Sequence, residues 1–204
     1  MKLTTIIPLL TVTTAVYAAP LSFDFKDPKG VNNVVFKLDA PLESINGSAS
    51  GISGTVSFDP ANPAVTTGKI VVAANSLTVP NPMMKEHLHG ANWLDVAKFP
   101  EITFEAKSLT NVKTTDNVTT ADVAGTFTLH GVAKEITAPV KFTYLKDKLG
   151  ARVNDPKVKG DLLVIRANFV INRNDFDIQK GQYEDKVSTT IDLSLSIAGA
   201  AAAK

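Results

Sequence analysis

The residues most able to do chemistry are three imidazoles: His87, His89 and His130. With Glu86 beside them, His87-x-His89 could open a zinc site that His130 completes. That would make a metal-dependent enzyme, and it stands as the alternative reading. Two features weigh against it. Helical positions two apart point in different directions, and a histidine directly before Gly131 suits a turn as well as it suits a ligand. Arg173 and Asp175 lie two apart, where a strand would put them on one face as a structural ion pair. The chain has no Cys, hence no thiol nucleophile, thiolate metal site or disulfide. It has no Gly-x-Ser-x-Gly elbow and no His-Glu-x-x-His pair. Gly51-Ile52-Ser53-Gly54 is not followed by the Gly-Lys-Ser/Thr of a phosphate loop, and Glu184-Asp185 are adjacent in a solvated loop unsuited to acid–base work. No catalytic constellation forms, so the expectation is a protein that is not an enzyme and uses no cofactor.

The elements that would carry these residues show a period of two. In Thr190–Ile197, Ile191, Leu193, Leu195 and Ile197 share one face, and Thr190, Asp192, Ser194 and Ser196 the other. Val123–Leu129 alternates in the same way, as do shorter runs at Val34-Phe36-Leu38, Ile52-Gly54-Val56-Phe58, Ile70-Val72-Ala74, Ile102-Phe104-Ala106, Val140-Phe142-Tyr144 and Phe169-Ile171. Turn chemistry separates them: Asp27-Pro28-Lys29-Gly30, Asp59-Pro60-Ala61-Asn62-Pro63, Thr114–Asn117, Lys146–Gly150 and Asn154-Asp155-Pro156. Eight or nine short strands with turns between them predict an all-β, antiparallel sandwich or barrel in a single domain.

One stretch departs from this pattern. Asn81 to Gly90 reads as a short helix, with Asn81 as N-cap, Pro82 at the first helical position and Gly90 as the left-handed residue after the last turn. Ala91–Val96 follows as a candidate second helical turn and carries the only Trp. A lone apolar helical insert suits a lid at a barrel mouth. Met83, Met84, Leu88 and Trp93 are expected to close it, with His87 as a mouth residue able to bond a polar group.

Bulk properties narrow the partners. The 204 residues are 44% hydrophobic and 20% charged, with a formal charge of +1, which argues against a nucleic-acid partner. The N-terminus reads as an export leader: Lys2, an apolar stretch from Ile6 to Val16, and Val16-Tyr17-Ala18 as a processing site cut after Ala18. Its removal leaves 20 basic against 20 acidic side chains. No lipid-bearing Cys stands at the junction, so stable membrane insertion is not expected. The apolar positions are single-sided and the aromatics few, against an outer-membrane barrel.

Three blocks together resemble the YceI-like proteins. The first is Ser76-Leu77, Asn81 and His87-Leu88, continuing through Trp93-Leu94-Asp95 to Phe99-Pro100-Glu101-Ile102-Thr103-Phe104. The second is Gly125-Thr126-Phe127-Thr128-Leu129-His130-Gly131-Val132 with Lys134 and Thr137, and the third is Arg173-Asn174-Asp175-Phe176 with Ile178. Thr78-Val79-Pro80, Met84-Lys85, Ala133 and Asp177 depart from the family pattern, and the first two changes remove an acid and a base near the proposed mouth. The resemblance implies an up-and-down, lipocalin-like barrel of about eight strands with one short helix near the mouth, spanning residues 19–204. It also implies noncovalent binding of a polyisoprenoid, quinone-like or fatty amphiphile in the periplasm. The inner wall would then hold Phe36, Leu38, Val56, Ile70, Val72, Phe104, Phe127, Leu129, Phe142, Phe169, Leu193 and Leu195. Hydropathy does not separate a tunnel from a filled core, since both want the same residues, so a solid structural barrel remains a rival. Association of two barrels is left open.

Overall fold

The computed structural model describes residues 19–203. The expected leader, residues 1–18, lies outside the described residues. Ten strands form one antiparallel sheet: β1 (Leu21–Asp24), β2 (Asn33–Asp39), β3 (Ser44–Ala49), β4 (Ile52–Phe58), β5 (Thr67–Ala73), β6 (Glu101–Thr115), β7 (Val118–Leu129), β8 (Val132–Leu145), β9 (Gly160–Asn172) and β10 (Thr190–Ala202). From β4 to β10 each strand pairs with the next. β1 and β2 both pair with β10, at Asp24↔Ala200 and along Asn33↔Ser196 to Lys37↔Asp192. They are therefore two pieces of one strand, and β4 and β3, their respective partners, are two pieces of the next. Counted this way, eight strands run up and down and close on themselves, as in a lipocalin-like barrel.

The break in the first strand is stapled rather than loose. The turn closes with the Gly30 N–H on the Asp27 carbonyl at 3.2 Å. The Asp27 carboxylate accepts the backbone N–H groups of Lys29, Val31 and Asn32 at 3.1, 2.6 and 2.6 Å. Asn32, only 2% exposed, donates to the carbonyls of Phe25 and Ala198 and accepts the Ala198 N–H at 2.9 Å. One buried amide thus supplies the ladder bonds that the interrupted backbone does not.

The alternating faces lie as the pattern requires: Val123, Gly125, Phe127 and Leu129 are all buried. At the two-residue β7–β8 connection, His130 and Gly131 both take positive φ, 52° and 74°, the geometry whose twist matches a tight hairpin. Two strands were not legible in the sequence. β1 is too short to show a period, and Ser44-Ile45-Asn46-Gly47-Ser48-Ala49 has a loop's composition. Gly47 is needed there for close approach, since a Cβ would stand 2.1 Å from the Phe36 ring and 2.5 Å from the Thr78 carbonyl oxygen.

The helical insert, α1 (Pro82–His89), begins as expected, with the Asn81 side chain accepting the Met84 N–H at 3.2 Å. Its end differs. Gly90 has φ −69°, not the left-handed value, and the candidate helical turn over Ala91–Val96 is a run of hydrogen-bonded turns. The Gly90 N–H closes on Glu86 and His87, and the Trp93, Leu94 and Asp95 N–H groups fold back onto Gly90 and Leu88. α2 (Leu149–Val153) lies in what reads as the β8–β9 loop.

The interior is not uniform. At one end Phe23, Phe25, Phe58, Leu163 and Ile197 are at most 2% exposed. Phe58 stacks on Phe142 at 5.7 Å, and Tyr144 meets Phe23 edge-on at 6.4 Å. The Tyr144 hydroxyl donates to Asp161 Oδ2 at 2.6 Å; burial and this bond push its pKa far up, holding it neutral. That end is a solid aromatic plug. The other end is hollow.

Candidate functional site

The hollow end contains a cavity of about 400 Å³. Its wall is built by alternation: Phe36 and Leu38 from β2, Val56 from β4, Ile70 and Val72 from β5, Phe104 from β6, Phe127 and Leu129 from β7, Phe142 from β8, Phe169 from β9, and Leu193 and Leu195 from β10 all line it. Every strand residue expected on the inner wall is there. Small residues widen the bore. Gly68 and Ala106 are in register across β5 and β6 and both line it, with no side chain longer than a methyl, while the next residue in register, Gly125, leaves room for the Phe104 ring, 2.8 Å from where its Cβ would be.

The helical insert contributes Met84, His87, Leu88 and Trp93 to the wall. Met83 does not line it and is 66% exposed. Met84 and Leu88 are four apart and share the inner face of α1, so the residue a hundred degrees away from Met84 must point outward. Residues not foreseen complete the enclosure, among them Leu77, Val79, Leu94, Ile171, Ile178 and Val187. Leu77 and Val79 carry the alternation signal for two residues only, and Ile178 and Val187 sit in a loop whose sequence shows no period.

The cavity opens where exposed polar side chains join the lining: Glu43, His87, Tyr183 and Lys186. The two sides of this rim are linked. Trp93 lies 6.1 Å from the Tyr183 ring, the Gln179 side-chain amide donates to the Asn92 carbonyl, and the Leu42 N–H donates to the Asp185 carbonyl at 2.9 Å.

Arg173 organises the loop from Asp177 to Thr189 that forms this side of the rim. It is 1% exposed and makes no ion pair with Asp175, contrary to the sequence expectation. The chain leaves β9 at Asn172 and turns through Arg173–Phe176 as a short 3-10 helix, so the strand face the two residues were to share does not exist. Instead Nε donates to the Ser188 carbonyl, Nη1 to those of Ile178 and Gln179, and Nη2 to those of Gln182 and Val187, at 2.5 to 3.1 Å. Burial lowers its pKa, opposed by the Glu184 carboxylate, but a guanidinium stays charged at any ordinary pH. All five donors are engaged on backbone, which leaves none for an anion in the cavity.

The three imidazoles do not converge. His87 faces the cavity mouth, a ring nitrogen of His89 is bonded to the Leu77 carbonyl at 2.8 Å, and Nδ1 of His130 to the Phe176 carbonyl at 3.2 Å, with the Phe99 ring edge-on at 4.7 Å. Among the described residues no three His, Asp or Glu gather closely enough to hold an ion. The arrangement offers burial of hydrocarbon below a polar rim.

Comparison with known proteins places this architecture. A "UPF0312 protein" from Yersinia pestis (strain Pestoides F) is 35% identical over 153 residues, covering 75% of this chain and 72% of the relative. One from Pseudomonas putida is 33% identical over 156 residues, covering 76% and 73%. Among solved structures, BcnA of Burkholderia cenocepacia superposes with a TM-score of 0.65 at 20% identity, over 82% of this chain and 95% of that one. A polyisoprenoid binding domain from Saccharophagus degradans gives 0.63 at 12% identity, over 89% and 99%. These two likenesses concern the fold. Residues 27–198 match the YceI-like domain, nearly the whole of the barrel, and the chain belongs to that family.

Proposed function

We propose that the protein binds one apolar amphiphile noncovalently, a polyisoprenoid, quinone-like or fatty lipid, taken tail first into the hollow end of the barrel. It would act as a carrier or sequestering protein without catalysis. The observation that carries this reading is the cavity itself: hydrocarbon-walled, with a polar rim, and of a size that falls within the range of small-molecule sites. The description of the Saccharophagus degradans domain as polyisoprenoid binding supports the same class of ligand. Burial of each methylene is worth about 0.8 kcal/mol, so affinity should come from the tail and depend little on salt. The wall residues named above, from Phe36 to Leu195, with Met84, His87, Leu88 and Trp93 at the mouth, are the proposed contacts. Export with cleavage after Ala18 completes the proposal, and N-terminal sequencing of protein recovered from the periplasm tests it.

The binding test is native mass spectrometry after incubation with dispersed geranylgeraniol, a short-tailed quinone and hexadecanol. One-to-one adducts are expected with the unaltered protein. They should vanish in Ala106→Phe, which puts a ring into the cavity from its wall, while the barrel stays folded by circular dichroism. A folded, unaltered protein that takes up none of the three would overturn the reading.

A further inference from the structure

The lining stops at Phe142 on β8 and Ile165 on β9, and that floor defines a length. Phe142 is the aromatic wall residue next to the solid end. Behind it lie Phe58, stacked at 5.7 Å, and then Phe23 and Tyr144, none of which lines the cavity. This plug has little freedom to swing aside. Tyr144 is tied to Asp161, and the Phe25 ring beneath sits so close to β10 that a Cβ on Gly199 would be 2.6 Å from it. Along β9 the wall extends from Ile165 to Ile171. Six residues at about 3.3 Å each is roughly 20 Å along the strand, or about 15 Å along the barrel axis for a tilt near 40°. An extended hydrocarbon advances about 1.25 Å per carbon, from bonds of about 1.52 Å at angles near 111°. The depth therefore fits about 12 carbons.

We infer that Phe142 and the ring plug beneath it act as a chain-length stop, so the protein shelters about a dozen carbons of a single chain. The ligand class is a single-chain amphiphile with a tail of that length, its polar end among Glu43, His87, Tyr183 and Lys186. A longer isoprenoid leaves its remaining units outside the rim. This rests on the lipid-binding reading above and adds to it a limit that the reading does not require.

The experiment is a competition series with straight-chain primary alcohols of 8 to 20 carbons against a fluorescent fatty probe bound to the full barrel. Affinity should rise about fourfold per methylene up to about 12 carbons and then level off. Phe142→Ala should move the break upward by about two to three carbons. Ala167→Phe, which adds a ring to the wall one inward position above Ile165, should move it downward and does not depend on the plug surviving truncation. A rise that continues unbroken to 20 carbons would overturn the length stop while leaving lipid binding intact. A break that neither variant moves would show that the floor lies elsewhere and would also overturn it. If no alcohol of any length displaced the probe, the binding reading itself would fall.

Discussion

At the scale of single residues, local geometry decided which side chains reach the mouth. Met83 and Met84 are adjacent and chemically identical, and helical rotation alone puts one in water and the other on the cavity wall. The Met84–Leu88 spacing shows those two sharing a face, although Met83 was expected at the mouth beside them. The role of Arg173 was not legible in the sequence. Five carbonyls surround it, three from residues nine to fifteen positions downstream and two from the turn just after Phe176, and no local pattern announces a loop that will fold back around a guanidinium. Arg173→Met keeps the stem and removes all five donors. Buried carbonyls left without partners are costly, so stability should fall by roughly 2–4 kcal/mol in a urea titration. Ligand release should quicken as the loop bearing Ile178, Tyr183 and Val187 loosens. Unchanged stability would mean that the loop holds its shape without the guanidinium.

At the scale of elements, the long alternating strands were readable and the broken ones were not. Thr190–Ile197 and Val123–Leu129 carry enough repeats to show their faces, and both are strands with the expected sides inward. β3 hid behind Gly and Ser because its packing demands a glycine against Phe36 and the Thr78 carbonyl. The interruption between β1 and β2 behaves as a small electrostatic device. Burial opposes the Asp27 charge, but the N–H groups of Asn32, Lys29 and Val31 and the Arg152 guanidinium outweigh it, holding the carboxyl below its ordinary value of 3.8. A carboxyl more acidic in the folded state than in the unfolded one stabilises the fold fully above about pH 4 and loses that contribution as pH falls through its folded value. Stability measured by urea should therefore be level from pH 7 to 5 and drop below 4. Asp27→Asn should lower stability at pH 7 by about 1–2 kcal/mol and make the acid drop shallower. An acid profile identical in the variant would assign the drop to other carboxylates.

At the scale of the whole molecule, one barrel contains two interiors, and they should answer truncation differently. Phe58→Ala removes a ring from the solid end and leaves a hole that its neighbours cannot fill, a loss of about 3–5 kcal/mol. Leu193→Ala trims a wall that already borders a void. It makes no new cavity of its own, and about 1–2 kcal/mol is expected, with a larger effect on ligand affinity than on stability. Equal losses at the two sites, measured by thermal or urea unfolding, would mean that the hollow end is packed in solution.

The sequence by itself determined the alternation, the antiparallel strands, the capped helix at the mouth and the side of each long strand that faces inward. Those follow from steric rules acting over two to four residues. Whether opposite walls touch was decided only by the closed barrel. It depends on eight strands fixing a radius, on Gly68 and Ala106 meeting from separate strands, and on four rings from distant parts of the chain stacking at one end but not the other. Distances across a barrel are set by the closure of the sheet, and no run of neighbouring residues contains that information.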